Sequence, residues 1–108
     1  MEQRKFQRFS DNSHVVFSSE TVKGEGRLEN LSVGGAAVLT ELAIARGEYL
    51  GLKITCPTQP AAIDVELAPV RWVKEGSFGV EFIWISPDAQ QRLKAYLDTL
   101  EDASSKAA

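Results

Sequence analysis

The chain has 108 residues, enough for one domain, and its 44% hydrophobic content can supply a single modest core. One cysteine and one histidine exclude an intramolecular disulfide and a four-cysteine zinc site. A formal net charge of -3 argues against a broad nucleic-acid-binding surface, so no DNA partner is expected.

The first residues, Met-Glu-Gln-Arg-Lys, carry no apolar signal region, and no window reaches the ~20 apolar residues of a membrane span. The expectation is a soluble, cytoplasmic protein without membrane insertion. Charge is unevenly placed. Arg4, Lys5 and Arg8 cluster at the N-terminus, whereas Asp98, Glu101 and Asp102 gather near the other end. Such a distribution suits a local basic clamp for a small anion.

Residues 1–13 show no apolar periodicity and end in Ser10-Asp11-Asn12-Ser13, so they read as an arm leading into the domain. His14 to Ser19 is a short strand with Val15 and Phe17 on one face. From Thr21 to Asn30, Lys23, Glu25, Arg27 and Glu29 alternate with Val22, Gly24, Gly26 and Leu28. Glycines on the inner face imply a sharply bent strand or a closely passing backbone. In Glu29-Asn-Leu-Ser-Val-Gly-Gly35, alternation predicts that Asn30 and Ser32 leave one face of an extended segment. Gly34 and Gly35 then permit a left-handed turn and close approach of a ligand to the main chain.

Ala36 to Thr40 continues as a strand, and Arg46-Gly47 marks a turn. Glu48 to Thr55 places Leu50, Leu52 and Ile54 inward. Cys56 to Pro60 is a loop, in which Cys56 reads as a small, half-buried hydrophobe. Ile63, Val65 and Leu67 alternate in the next strand, Pro69 predicts a bulge or edge, and Val70 to Lys74 carries on beyond it. Glu75-Gly76 is a hairpin turn before the apolar stripe Phe78, Val80, Phe82 and Trp84.

After Ile85 the period changes to that of a helix. Ser86 caps it, Pro87 suits its first position, Asp88 suits its positive end, and Ala89, Leu93, Tyr96, Leu97 and Leu100 form its apolar face. The domain is expected over residues 14–101, with 102–108 a frayed tail. The fold class is mainly β: a six-stranded antiparallel barrel with a C-terminal α-helix, because closure removes edges that so short a chain cannot otherwise cover.

Arg4 and Arg8 flank Lys5-Phe6-Gln7 in the arm. The planar guanidinium bonds phosphate oxygens bidentately, matches the O6 and N7 acceptors of guanine, and stacks on bases. Arg4-x-x-x-Arg8 followed by Asn30-x-Ser32-x-x-Gly35 resembles the two-part signature of PilZ domains, bacterial receptors for the second messenger cyclic di-GMP. The likeness extends to Val70-Arg71-Trp72 and to Gly79-Val80-Glu81-Phe82. It implies that Arg4 and Arg8 hold phosphate and guanine, that Lys5 adds charge, and that Asn30, Ser32, Gly34 and Gly35 receive a base on the barrel surface. Trp72 is either a stacking platform or a packing residue. The neutral amide of Asn30 stands where the family often has Asp, and it cannot accept two charge-assisted bonds from guanine N1 and N2.

The resemblance implies a non-enzymatic sensor without a cofactor. In it, cyclic di-GMP orders the arm and alters a surface for a downstream protein of motility, pilus or exopolysaccharide machinery, the chain being a monomer or weak dimer. A different class of reading is a protein-interaction adaptor that binds no nucleotide; the two arginines argue against it. An enzyme is the weakest reading, since no nucleophile and base can be paired.

Overall fold

The computed structural model describes residues 8–107, with side chains as far as Glu101. Its strands are β1 (Phe9–Ser10), β2 (His14–Ser18), β3 (Lys23–Leu31), β4 (Gly35–Leu39), β5 (Tyr49–Thr55), β6 (Ile63–Lys74), β7 (Ser77–Glu81) and β8 (Trp84–Ile85), followed by helix α1 (Pro87–Ala107). The strands pair antiparallel in the order β3-β2-β5-β6-β7-β4, and β4 returns to β3, closing a six-stranded barrel. Short β1 extends the β2 side of β3, and β8 lies beside the first half of β6.

Alternation explains which side chains fill the barrel. Val15, Phe17, Leu28, Val38, Leu50, Leu52, Ile54, Ile63, Val65 and Phe78 are buried, with the Phe17 and Phe78 rings meeting edge to face at 5.2 Å. The glycines of β3 answer close approaches, as their pattern predicts: a Cβ on Gly26 would overlap the Leu39 carbonyl oxygen. Gly47 and Gly76 take φ of +91° and +82°, which fits the two turns expected there. Gly34 and Gly35 do not, so the left-handed geometry expected of that pair is absent.

Pro69 lies within a single twelve-residue β6, at the place where that strand exchanges neighbours. Its outer partner is β8 up to Leu67 and β7 from Val70. Val70 turns its N–H and carbonyl toward the β5 side, to Glu48 and Gly47. The nitrogen of Pro69 therefore faces the gap between β8 and β7, where no ladder bond is lost.

Three sequence boundaries move. Phe9 and Ser10, expected in the arm, already pair with Leu31 and Asn30 as β1. The stripe Phe78, Val80, Phe82, Trp84 is broken after Glu81, where the chain leaves β7 and crosses to β6, leaving Trp84 63% exposed. The helix begins as predicted, with the Ala89 N–H bonded to Ser86 Oγ at 3.2 Å. It continues to Ala107, past the expected end at 101. Its Ala89, Leu93, Tyr96 and Leu97 are buried, and it packs on β6 and β1.

Candidate functional site

One row of cross-strand partners runs over the outer face: Ser10, Asn30, Ala37, Gly79 and Trp72, contributed in turn by β1, β3, β4, β7 and β6. Neighbouring residues of such a row share a face. The inner rows beside it hold the buried Leu31, Ala36, Val80 and Val70. With strands about 4.8 Å apart, Asn30 and Trp72 lie about 14 Å from one another along the sheet. Between them stand only Ala37, which is buried, and Gly79, which the Trp72 indole covers, so the shelf has a polar group at one end, an indole at the other and little open floor between them.

At the polar end, Arg8 Nη1 donates to Asn30 Oδ1 at 2.6 Å. The second arginine of the arm motif and the first residue of the strand motif are thus in contact. At the other end, the Trp72 indole covers Gly79, whose Cβ would overlap it, and Lys74 Nζ stands 5.1 Å from the ring centroid. Trp72 is therefore an outward-facing ring on the shelf and does not fill the barrel. Arg71 Nε donates to Glu81 Oε1 at 2.8 Å, and Glu81 pairs with Gly35 along the edge of the same shelf.

Ser32 departs from the expected geometry. The strand ends at Leu31, and Ser32 is 2% exposed inside the turn that follows. Its hydroxyl accepts from the Gly34 and Gly35 N–H groups at 3.2 and 3.1 Å and donates to the Gly35 carbonyl at 3.3 Å. One donor and two acceptor sites are all a hydroxyl has, so its capacity is used within the chain. Asn30 and Ser32 do not leave a common face. A Cβ on Gly35 would overlap the Val80 carbonyl oxygen, so this glycine allows β4 to approach β7. Arg4 and Lys5 lie outside the described residues.

A second polar cluster, which the sequence reading missed, ties the arm to the helix. Tyr96 Oη donates to Asp11 Oδ1 at 2.6 Å and accepts from Ser13 Oγ at 3.1 Å. Ser13 and Tyr96 are both buried, and the second Asp11 oxygen is buried without a partner. Burial first, then the bond to Asp11, pushes the Tyr96 hydroxyl up to about 12. Burial likewise raises the neighbouring Cys56 thiol to about 11, with the Asp11 charge adding to it, so Cys56 stays protonated.

The PilZ domain model matches residues 2–99, and the chain belongs to that family. Among solved structures, the Bacillus subtilis inhibitor of motility MotI/DgrA is 26% identical, with a TM-score of 0.73 over 89% of this chain and 50% of that one. Escherichia coli YcgR in complex with c-di-GMP is 20% identical, with a TM-score of 0.79 over 98% of this chain and 50% of its own. The PilZ domain of YcgR with c-di-GMP gives 21% identity and a TM-score of 0.68, covering 98% of both chains. The chain thus spans about half the length of the MotI and YcgR chains it matches. No curated protein sequence matches it.

Proposed function

We propose that the chain is a receptor for cyclic di-GMP, bound on the outer face of the barrel between the arm and the shelf. The observation that carries this reading is the 2.6 Å bond from Arg8 to Asn30, which joins the two halves of the motif. A guanidinium at that place suits a phosphate or the O6 and N7 edge of guanine, both of which accept two parallel N–H bonds. Arg4 and Lys5 add charge from the same arm. Asn30 presents an amide and Gly34 bare backbone, while Ser32 and the buried Gly35 brace the turn that carries them. Trp72 supplies a face for base stacking. Family membership and two structural relatives solved with c-di-GMP support the ligand's identity.

The relay needs only a ligand that binds one state of the arm better than another. Arg8 and Asp11 flank β1, so an arm drawn onto a nucleotide by Arg8 also bears on Tyr96 and through it on the helix. The altered surface then engages a downstream protein of motility, pilus or exopolysaccharide machinery. Titration calorimetry with cyclic di-GMP in low salt tests the reading. Saturable heat is expected, and no heat at tens of micromolar nucleotide would replace the receptor with a nucleotide-free adaptor.

A further inference from the structure

Beside the shelf, the chain leaves a cleft of about 510 Å³ lined by Val33, Gly34, Glu81, Trp84, Gln90 and Lys94. It lies where the motif turn, the exit of β7, the short β8 and the first turns of α1 converge. The Phe82 N–H donates to the Gly34 carbonyl at 2.9 Å, which fixes the wall from β7 against the motif turn. Pairing of Gly35 with Glu81 makes the cleft continuous with the shelf. Its volume falls within the roughly 300–1,000 Å³ of small-molecule sites. Trp84, 63% exposed, is the most exposed large hydrophobic side chain among the described residues, and it lines this cleft.

The polar groups around the cleft complement one base in particular. Guanine presents two adjacent donors, N1–H and the N2 amino group, and two adjacent acceptors, O6 and N7. A carboxylate answers the donors, and Glu81 supplies one whose bond to Arg71 uses only Oε1. Lys94 and Gln90, four residues apart on the helix, offer an ammonium and an amide for the acceptors. Asn30 cannot take the donor edge in the same way, since its amide has a single acceptor oxygen and that oxygen already holds Arg8.

From this we infer that the cleft is a guanine subsite of the nucleotide site, with Glu81 reading the N1 and N2 donors, Lys94 and Gln90 facing O6 and N7, and Trp84 offering its ring. The inference rests on the receptor reading and adds to it the residues that select guanine. It gives Glu81 and the helix a direct part in binding, so occupancy of the cleft bears on α1 without passing through the arm.

The test compares cyclic di-GMP with cyclic di-IMP, whose hypoxanthine lacks only the N2 amino group, by calorimetry on the full chain and on Glu81→Ala, Trp84→Ala and Arg8→Ala. The parent should prefer the guanine ligand by about tenfold, the discrimination expected of a lost base contact. In Glu81→Ala that preference should fall toward unity, and Trp84→Ala should weaken both ligands by about tenfold through lost stacking. If both variants keep parental affinity and preference while Arg8→Ala is weakened, the cleft is no subsite and the receptor stands. If Glu81→Ala weakens both ligands equally and leaves the preference intact, Glu81 acts only by holding Arg71, and the subsite is again overturned. A parent that binds neither ligand overturns the receptor reading, and the subsite falls with it.

Discussion

Replacing Tyr96 by Phe removes one oxygen from the junction between arm and helix, and the structure allows its cost to be worked out. The hydroxyl donates to Asp11 at 2.6 Å and accepts from Ser13 at 3.1 Å. The first is a bond to a charged group, worth about 1.5–3 kcal/mol, and the second a neutral one worth about 1 kcal/mol. Asp11 already has one buried oxygen without a partner, so the variant leaves both its oxygens short of bonds. A loss of about 2.5–4 kcal/mol is expected, which for a domain of this size lowers Tm by about 10–30 °C. Urea and thermal denaturation measure it. The parent and variant should also converge at high pH. The folded hydroxyl ionises near 12 against an ordinary value of 10.0, so its contribution is complete below pH 10 and lost as pH rises from 10 to 12. A deficit below about 0.5 kcal/mol, within the scatter of ordinary surface substitutions, would mean that water replaces the hydroxyl and that the junction is not a tie.

Other perturbations separate binding from folding. Arg8→Ala should cost about 1–3 kcal/mol of cyclic di-GMP binding, read by calorimetry, and little thermal stability. Parental affinity in that variant would refute the clamp, and in the parent the affinity should fall as salt is raised. Trp72→Ala should lose about 1–3 kcal/mol of binding if the indole stacks a base, and nothing if it only covers Gly79. Gly35→Ala should destabilise the fold by about 1–3 kcal/mol in urea, because the added methyl meets the Val80 carbonyl oxygen and β4 must move from β7.

The barrel was legible because its strands are short, amphipathic and set off by turn residues. Leu50, Leu52 and Ile54 alternate cleanly and are buried as that pattern requires. Glu75-Gly76 closes its hairpin with a left-handed glycine. What escaped the sequence are features that depend on how distant segments meet. Asn30 and Ser32 are two residues apart, yet the turn after Leu31 draws Ser32 inward, so strict alternation misplaces it. Trp84 continues a period of two on paper, but the chain changes partner strands after Glu81. The Asp11, Ser13 and Tyr96 cluster spans more than eighty positions with no local pattern to mark it. An Asp and a Ser in a loop look like turn formers, and a Tyr at helical spacing looks like core.

Closure of the barrel and an outside location for the proposed site follow from the same residues. Phe17, Leu28 and Phe78 fill the interior, so a dinucleotide has no cavity to enter. A nucleotide site, as proposed, then belongs on the outer face. On that face Ala37 and Gly79 make a floor of small residues on adjacent strands, both buried, the glycine beneath the Trp72 ring. At one end of this floor the arm enters as β1, pairing with the strand that carries Asn30. The pairing fixes the register in which Arg8 meets Asn30, because Ser10 is opposite Asn30 and Arg8 precedes it by two residues on the same strand face. A one-residue slip of β1 would send the guanidinium to the opposite face. The short strand therefore aims the clamp, while the longer strands supply the floor beneath it.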